Sequence, residues 1–148
     1  MLQQFYEDFI TSVPLQMPEL MDRCTMKEPV VYEDYMLLTF PVASPYSLEE
    51  VMDMLEDDME LILLYHHIPS AASKYGHSCC AYSNPSFGHM YKVNAKTNDS
   101  GHVEDILVTI YDSLEYMLSD VCVDLELHSK SGRLKYQKRK EEVLLDFM

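Results

Sequence analysis

Apolar and polar positions recur with different periods along this chain, and each change of period marks an expected element. Between Ser47 and Tyr65, Leu48, Val51, Met52, Leu55, Met59 and Ile62 follow one another mostly at steps of three and four. That spacing lines one side of an α-helix. Ser47-Leu48-Glu49-Glu50 supplies its start, with a serine hydroxyl for the first orphan N–H groups and a glutamate three residues on to return the bond. A helix over about 47–65 is expected. A second stripe, formed by Val103, Ile106, Leu107, Ile110, Leu114, Met117, Leu118 and Val121, predicts a helix over about 102–120. The period then drops to two. Val121, Val123, Leu125 and Leu127 alternate with Cys122, Asp124, Glu126 and His128, the pattern of a half-buried strand. Ser129-Lys130-Ser131-Gly132 reads as a turn, after which Leu134 and Tyr136 alternate with Arg133, Lys135 and Gln137. Pairing 128 with 133 sets Leu127 against Leu134 and Glu126 against Lys135, so a C-terminal hairpin is expected.

The remaining segments carry weaker patterns. Residues 2–12 read as a short amphipathic helix with Phe5, Phe9 and Ile10 on one side, broken by Pro14 and Pro18. Glu19–Cys24 adds a turn. Val30–Val42 is rich in β-branched and aromatic residues and reads as two strands around Glu33-Asp34. Residues 66–100 are the least regular, with strands expected at His77–Tyr82 and Phe87–Val93 around the turn Ser83-Asn84-Pro85-Ser86. Asn98-Asp99-Ser100-Gly101 is a loop and a candidate helix cap, and Glu141–Met148 forms a last amphipathic turn. The sum is an α+β fold in a single domain, 1–148, with two long amphipathic helices packed on one face of a small antiparallel sheet and a C-terminal hairpin. Leu55, Ile62, Ile106, Ile110 and Leu114 are expected in its core.

Charge changes the picture from fold to partner. The 148 residues are 47% hydrophobic, enough for a core, yet the net charge is −14. Residues 1–129 hold 22 Asp/Glu against 5 Lys/Arg, whereas 130–148 hold 6 Lys/Arg against 3 Asp/Glu, all six cations falling between Lys130 and Lys140. Such an acidic body repels phosphate backbones and anionic lipid and attracts cationic protein surfaces. Glu49, Glu50, Asp53, Glu56, Asp57, Asp58 and Glu60 crowd into one stretch, and on a helix Glu49, Asp53, Glu56, Asp57 and Glu60 share the side opposite the stripe. Like charges at that spacing repel by a few tenths of a kcal/mol per pair, and no Lys or Arg between them relieves it. An unmixed row of this kind is better explained by a cationic partner than by solvation alone. That partner is either the chain's own Lys130–Lys140 segment or another protein. No apolar run approaches the roughly 20 residues of a membrane span. The start, Met1–Asp8, lacks a basic, apolar leader. A cytoplasmic protein with four free cysteines is therefore expected.

Candidate chemistry adds little. His66, His67, His77, Cys79, Cys80 and His89 are zinc-ligand types, but their spacing matches no ligand signature. In a strand, Cys79 and Cys80 point to opposite faces. A thiolate–imidazole pair of Cys79 or Cys80 with His77 or His89 is conceivable chemistry, but its surroundings are too acidic to lower a thiol pKa. Glycines at only 76, 88, 101 and 132 leave no phosphate cradle. No cofactor, metal or catalytic residue is expected. The reading that follows is a small acidic interaction or inhibitor protein, not an enzyme, that binds the basic, nucleic-acid-binding surface of another protein. Phage and mobile-element inhibitors of restriction or CRISPR nucleases, some of them nucleic-acid mimics, are of this kind. Glu49, Glu50, Asp53, Glu56, Asp57 and Glu60 would be the contact residues, with exposed Tyr and Met as anchors. The rivals are a Cys/His-dependent enzyme, with or without zinc, and an immunity protein or antitoxin for a basic toxin.

Overall fold

A computed structural model of the chain describes residues 2–69, 78–83 and 90–134. Their helices are α1 (Leu2–Gln16), α2 (Leu48–Asp57) and α3 (Leu114–Ser131), with a single 3-10 turn at Arg23–Thr25. Their strands are β1 (Val30–Val31), β2 (Tyr35–Pro41), β3 (Ile62–Pro69), β4 (Ser78–Tyr82), β5 (Tyr91–Thr97), β6 (Val103–Tyr111) and β7 (Gly132–Leu134). All seven join one antiparallel sheet in the order β1-β2-β6-β5-β4-β3-β7. The fold is α+β, as the periodicities imply.

Helices cover both faces of the sheet, not one. Phe9 and Ile10 of α1, Met17, Leu20 and Met21 after it, and Leu48, Val51, Met52 and Leu55 of α2 pack on Leu38, Phe40, Cys79, Ala81, Val93, Ile106, Val108 and Ile110. On the other face Met117 and Val121 of α3 pack on Cys80, Tyr82 and Tyr111. Cys79 and Cys80 thus serve opposite cores, as strand alternation requires.

Several sequence expectations fail for identifiable reasons. The helix expected over 102–120 is β6 followed by the first third of α3. β6 is the sheet's third strand and is buried on both faces, so the alternation that would reveal it is largely erased. Its β-branched residues, Val103, Ile106, Val108, Thr109 and Ile110, suit a strand. The true helix start is Ser113, whose hydroxyl accepts the Tyr116 N–H at 3.2 Å. Leu114, expected in the core, sits in that first turn and is exposed. The strand expected over 121–128 is the body of α3, where Val121 is fully buried and Val123 is 49% exposed, as a helix demands and a strand does not. The C-terminal hairpin therefore does not form. β7 instead pairs with β3, Arg133 opposite Ile68 and Leu134 opposite His67.

The helix expected over 47–65 is about half that length and ends at Asp57. Asp57 and Asp58 place carboxylates at the negative end of the helix dipole, with no basic residue in the last turn to offset them. Glu60 adopts a left-handed φ of 53°, the chain reverses, and Leu61 bonds back to the Leu55 carbonyl at 2.8 Å. Ile62 then enters β3 and faces the second core. Elsewhere the expectations hold more closely. The helix at the start runs on through Pro14 to Gln16. The hairpin turns at Glu33-Asp34, with Val31 opposite Met36. Asn98–Gly101 is a turn between β5 and β6, not a helix cap. Of the expected strand Phe87–Val93, residues 91–93 open β5, which runs on to Thr97, while 87–89 lie outside the described residues. The proposed turn at 84–86 and the segment Glu141–Met148 lie outside the described residues.

Candidate functional site

The acidic row is built by the cap and the stripe of α2. Ser47 accepts the Glu50 N–H at 3.2 Å while Glu50 accepts the Ser47 N–H at 3.3 Å, a closed capping box. That fixes the phase of the helix, and Leu48, Val51, Met52 and Leu55 turn into the core. Glu49, Glu50, Asp53, Glu56, Asp57 and Asp58 are all exposed as a result. Glu49 and Glu50 also lie in the first turn, where the helix dipole favours carboxylates. Glu60, expected on the same helical side, is exposed as well but stands in the left-handed turn beyond the helix end. Asp53, Glu56, Asp57, Asp58 and Glu60 form no ion pair with any described residue, the only such pairs belonging to Lys92. The side chains of the Lys130–Lys140 segment, expected to dock on these carboxylates, lie outside the described residues.

Beside the end of α2 opens a cleft of about 770 Å³. Phe5 and Phe9 of α1 and Tyr91 of β5 line it together with Met59 and Leu61, and Asp8, Asp58 and Glu60 bring carboxylates to it. Among the described residues no Lys or Arg lines it. Aromatic walls beside carboxylates suit the apolar stem and charged head of a long cationic side chain.

A second polar group, invisible in the sequence, lies under α3. The Lys92 ammonium, on β5, meets Asp120 at 2.9 Å and Asp124 at 2.5 Å, and the Tyr111 hydroxyl hydrogen-bonds to Asp120. Asp120 and Asp124 are four residues apart and therefore share one side of the helix. Burial disfavours the Lys92 charge, but the neighbouring Cys80, Tyr111 and Asp124 outweigh it and hold its pKa above the usual lysine value. Burial raises the Tyr111 pKa too, and its bond to Asp120 adds to the rise. An ammonium so stabilised cannot serve as an amine nucleophile or base near neutral pH. Its evident work is to clamp α3 to the sheet.

The cysteines fit the same structural role. Cys79 and Cys80 are fully buried, and burial pushes the Cys79 thiol up to about 12, so it stays protonated and unreactive. His77 and His89 lie outside the described residues. Among the described residues no three His, Cys, Asp or Glu side chains converge as metal ligands, and no helix is long and apolar enough to cross a membrane. Comparison with protein-family models, with curated proteins and with solved structures finds no match to this chain.

Proposed function

We propose that this chain is an acidic interaction protein that binds a basic surface on a partner protein, of the sort a nuclease or another nucleic-acid-binding protein presents. One observation carries the reading. α2 turns a run of carboxylates outward, and Asp53, Glu56, Asp57, Asp58 and Glu60 have no described cation against them. Their mutual repulsion is a standing cost that a cationic partner would relieve. The net charge of −14 extends the same field over the molecule and would speed association at low salt. The cleft beside Asp58 and Glu60 offers apolar walls where a lysine or arginine stem can be desolvated. Inhibition of a restriction or CRISPR nuclease by occupying its nucleic-acid channel is the form of this activity the charge pattern fits best.

The test is capture from host extract at low and at high salt, followed by affinity measurement with the partner so identified. The triple reversal Asp53→Lys, Glu56→Lys, Asp57→Lys should leave the fold intact, because all three side chains are exposed. It should weaken binding at least tenfold and flatten its salt dependence. Binding that survives both the reversal and high salt defeats the electrostatic reading.

A further inference from the structure

Of the large hydrophobic side chains that the described residues expose, all but Leu15 and Val123 gather at one corner of the sheet. Val30 and Val31 lie on β1 and Tyr32 directly after it, while Leu114 and Tyr116 belong to the first turn of α3. The tyrosines form a ladder. Tyr32 stacks on Tyr35 at 4.5 Å and 17°, Tyr35 stacks on Tyr116 at 5.4 Å and 20°, and Tyr116 leans on the buried Tyr111 at 5.9 Å. The ladder thus runs from the second core out to Tyr32, whose side is 45% exposed. A solvent-facing stack of this kind is unusual for a surface with no partner.

Two further features say what fits there. The first is charge. Glu33 and Asp34 form the turn next to Tyr32, the Asp112 N–H is tied to that turn through the Asp34 carbonyl at 2.9 Å, and Glu115 stands beside Tyr116. Neither 28–41 nor 111–118 contains a Lys or Arg. Carboxylates around aromatic rings repel a phosphate backbone and favour a cation. Of the two cationic side chains, arginine has the planar, weakly hydrated group that stacks on a ring. The second is the free edge. Among the described residues β1 is the last strand of the sheet and pairs only with β2. Natural edges are usually blunted by charge or cover, yet Val30 and Val31 are apolar and exposed.

We propose that this corner binds an extended, arginine-bearing segment of a partner protein, which adds to β1 as a further strand and lays a guanidinium on Tyr32. The inference rests on the proposed function only in taking the partner to be basic. It assigns the contact to the face of the sheet that carries α3, opposite the acidic row. Strand addition supplies backbone affinity, and the stacked guanidinium selects arginine.

The experiment uses the full chain, isotope-labelled for NMR, at about 0.15 M salt, where the Debye length of roughly 8 Å keeps the two faces electrically separate. The probes are capped peptides Val-Arg-Val-Arg-Val, Val-Lys-Val-Lys-Val and Val-Glu-Val-Glu-Val, and oligothymidine. The expected result is saturable binding of the arginine peptide with shifts at Val31, Tyr32 and Tyr116. Affinity should be at least threefold lower for the lysine peptide, with no binding of the glutamate peptide or oligothymidine. Tyr32→Ala should weaken the arginine peptide at least fivefold, Tyr32→Phe should restore it, and the triple reversal on α2 should change it less than twofold. Equal binding of the arginine and glutamate peptides, shifts with oligothymidine, or self-association through β1 in sedimentation would each overturn the inference. So would loss of peptide binding in the α2 reversal but not in Tyr32→Ala; that outcome would leave the proposed function standing while this inference fails.

Discussion

Lys92 sets one positive charge against two carboxylates, the lysine itself being 4% exposed while the side chains of Asp120 and Asp124 are 33% and 19% exposed. Removing the lysine leaves Asp120 and Asp124 facing each other beside Tyr111, and breaking a fully buried pair in this way costs about 3–5 kcal/mol, an upper bound where the carboxylates reach water. Lys92→Met should therefore lower the unfolding free energy by up to that order in a urea titration. Adding Asp120→Asn and Asp124→Asn should recover more than half of the loss, because the unpaired charges go with the lysine. A loss under about 1 kcal/mol in the single variant would mean that solvent screens the site after all. The buried ionisable groups also fix how stability varies with pH. The Cys79 thiol is raised from 9.0 to about 12 and the Tyr91 hydroxyl from 10.0 to about 12, both by burial, and Lys92 is raised by its neighbours against its burial. Each group holds its proton in the folded chain at pH values where the unfolded chain has released it. Their contribution is therefore whole below the unfolded values and is lost as pH climbs toward the folded ones. Unfolding free energy should be level in this respect from pH 7.5 to about pH 9 and fall steeply by pH 10.5, and Cys79→Ala should soften the early part of that fall. The same burial orders the thiols by reactivity. Alkylation of the native chain followed by peptide mass mapping should label the exposed Cys24 first and the half-buried Cys122 next, with Cys79 and Cys80 reacting only after unfolding.

Secondary-structure elements differ in how plainly the chain announces them, and the difference follows from their surroundings. α2 has one wet face and a reciprocal cap, so its start, its stripe and its outward carboxylates were all legible from spacing alone. The β1–β2 hairpin likewise keeps a clean alternation along Tyr35–Pro41. β6 and α3 were exchanged because each wears the other's pattern. β6 is covered on both faces, so its apolar residues also fall at helical spacing. α3 carries Val121, Val123 and Leu125 at alternate positions, although only Val121 of the first two is used by the core. The Lys92 clamp could not be found under that exchange, since it assigned Asp120 and Asp124 to two different elements. A pair of substitutions separates the two assignments. Val121→Asp should cost roughly 2–5 kcal/mol or prevent folding, by placing a charge in the core. Val123→Lys should be nearly neutral, within about 0.5 kcal/mol, as surface changes are. A strand with both valines on one face requires the two to be equally damaging, and thermal melts of the two variants decide it. In β6, Ile110→Ala should cost about 2–5 kcal/mol because the side chain is 1% exposed.

Across the whole molecule, helices on both faces leave the chain two distinct surfaces: the acidic side of α2 on one, and on the other the tyrosine corner where β1 meets α3. Both are rimmed with carboxylates, whose field opposes the approach of an anion. The six cations between Lys130 and Lys140 are the only concentrated positive charge in the sequence. Alone, a segment of that density would bind nucleic acid in a salt-dependent way, each phosphate contact releasing counterions. Attached to a body with 22 carboxylates in its first 129 residues, it works against a field of the opposite sign. At about 0.15 M salt the Debye length is roughly 8 Å, short enough to screen distant parts of that field but not carboxylates adjacent to the segment. The start of β7 shows how near the body lies, since Gly132, Arg133 and Leu134 hydrogen-bond along β3 within the sheet. The full chain should therefore show no binding to a random DNA duplex or single strand at that salt in fluorescence anisotropy. Neutralising Arg133 and Lys135 to Gln should leave that result unchanged. If anisotropy instead rises with protein, and these two neutralisations abolish the rise without changing stability, the basic segment is a nucleic-acid-binding arm and the partner of this chain is not a basic protein.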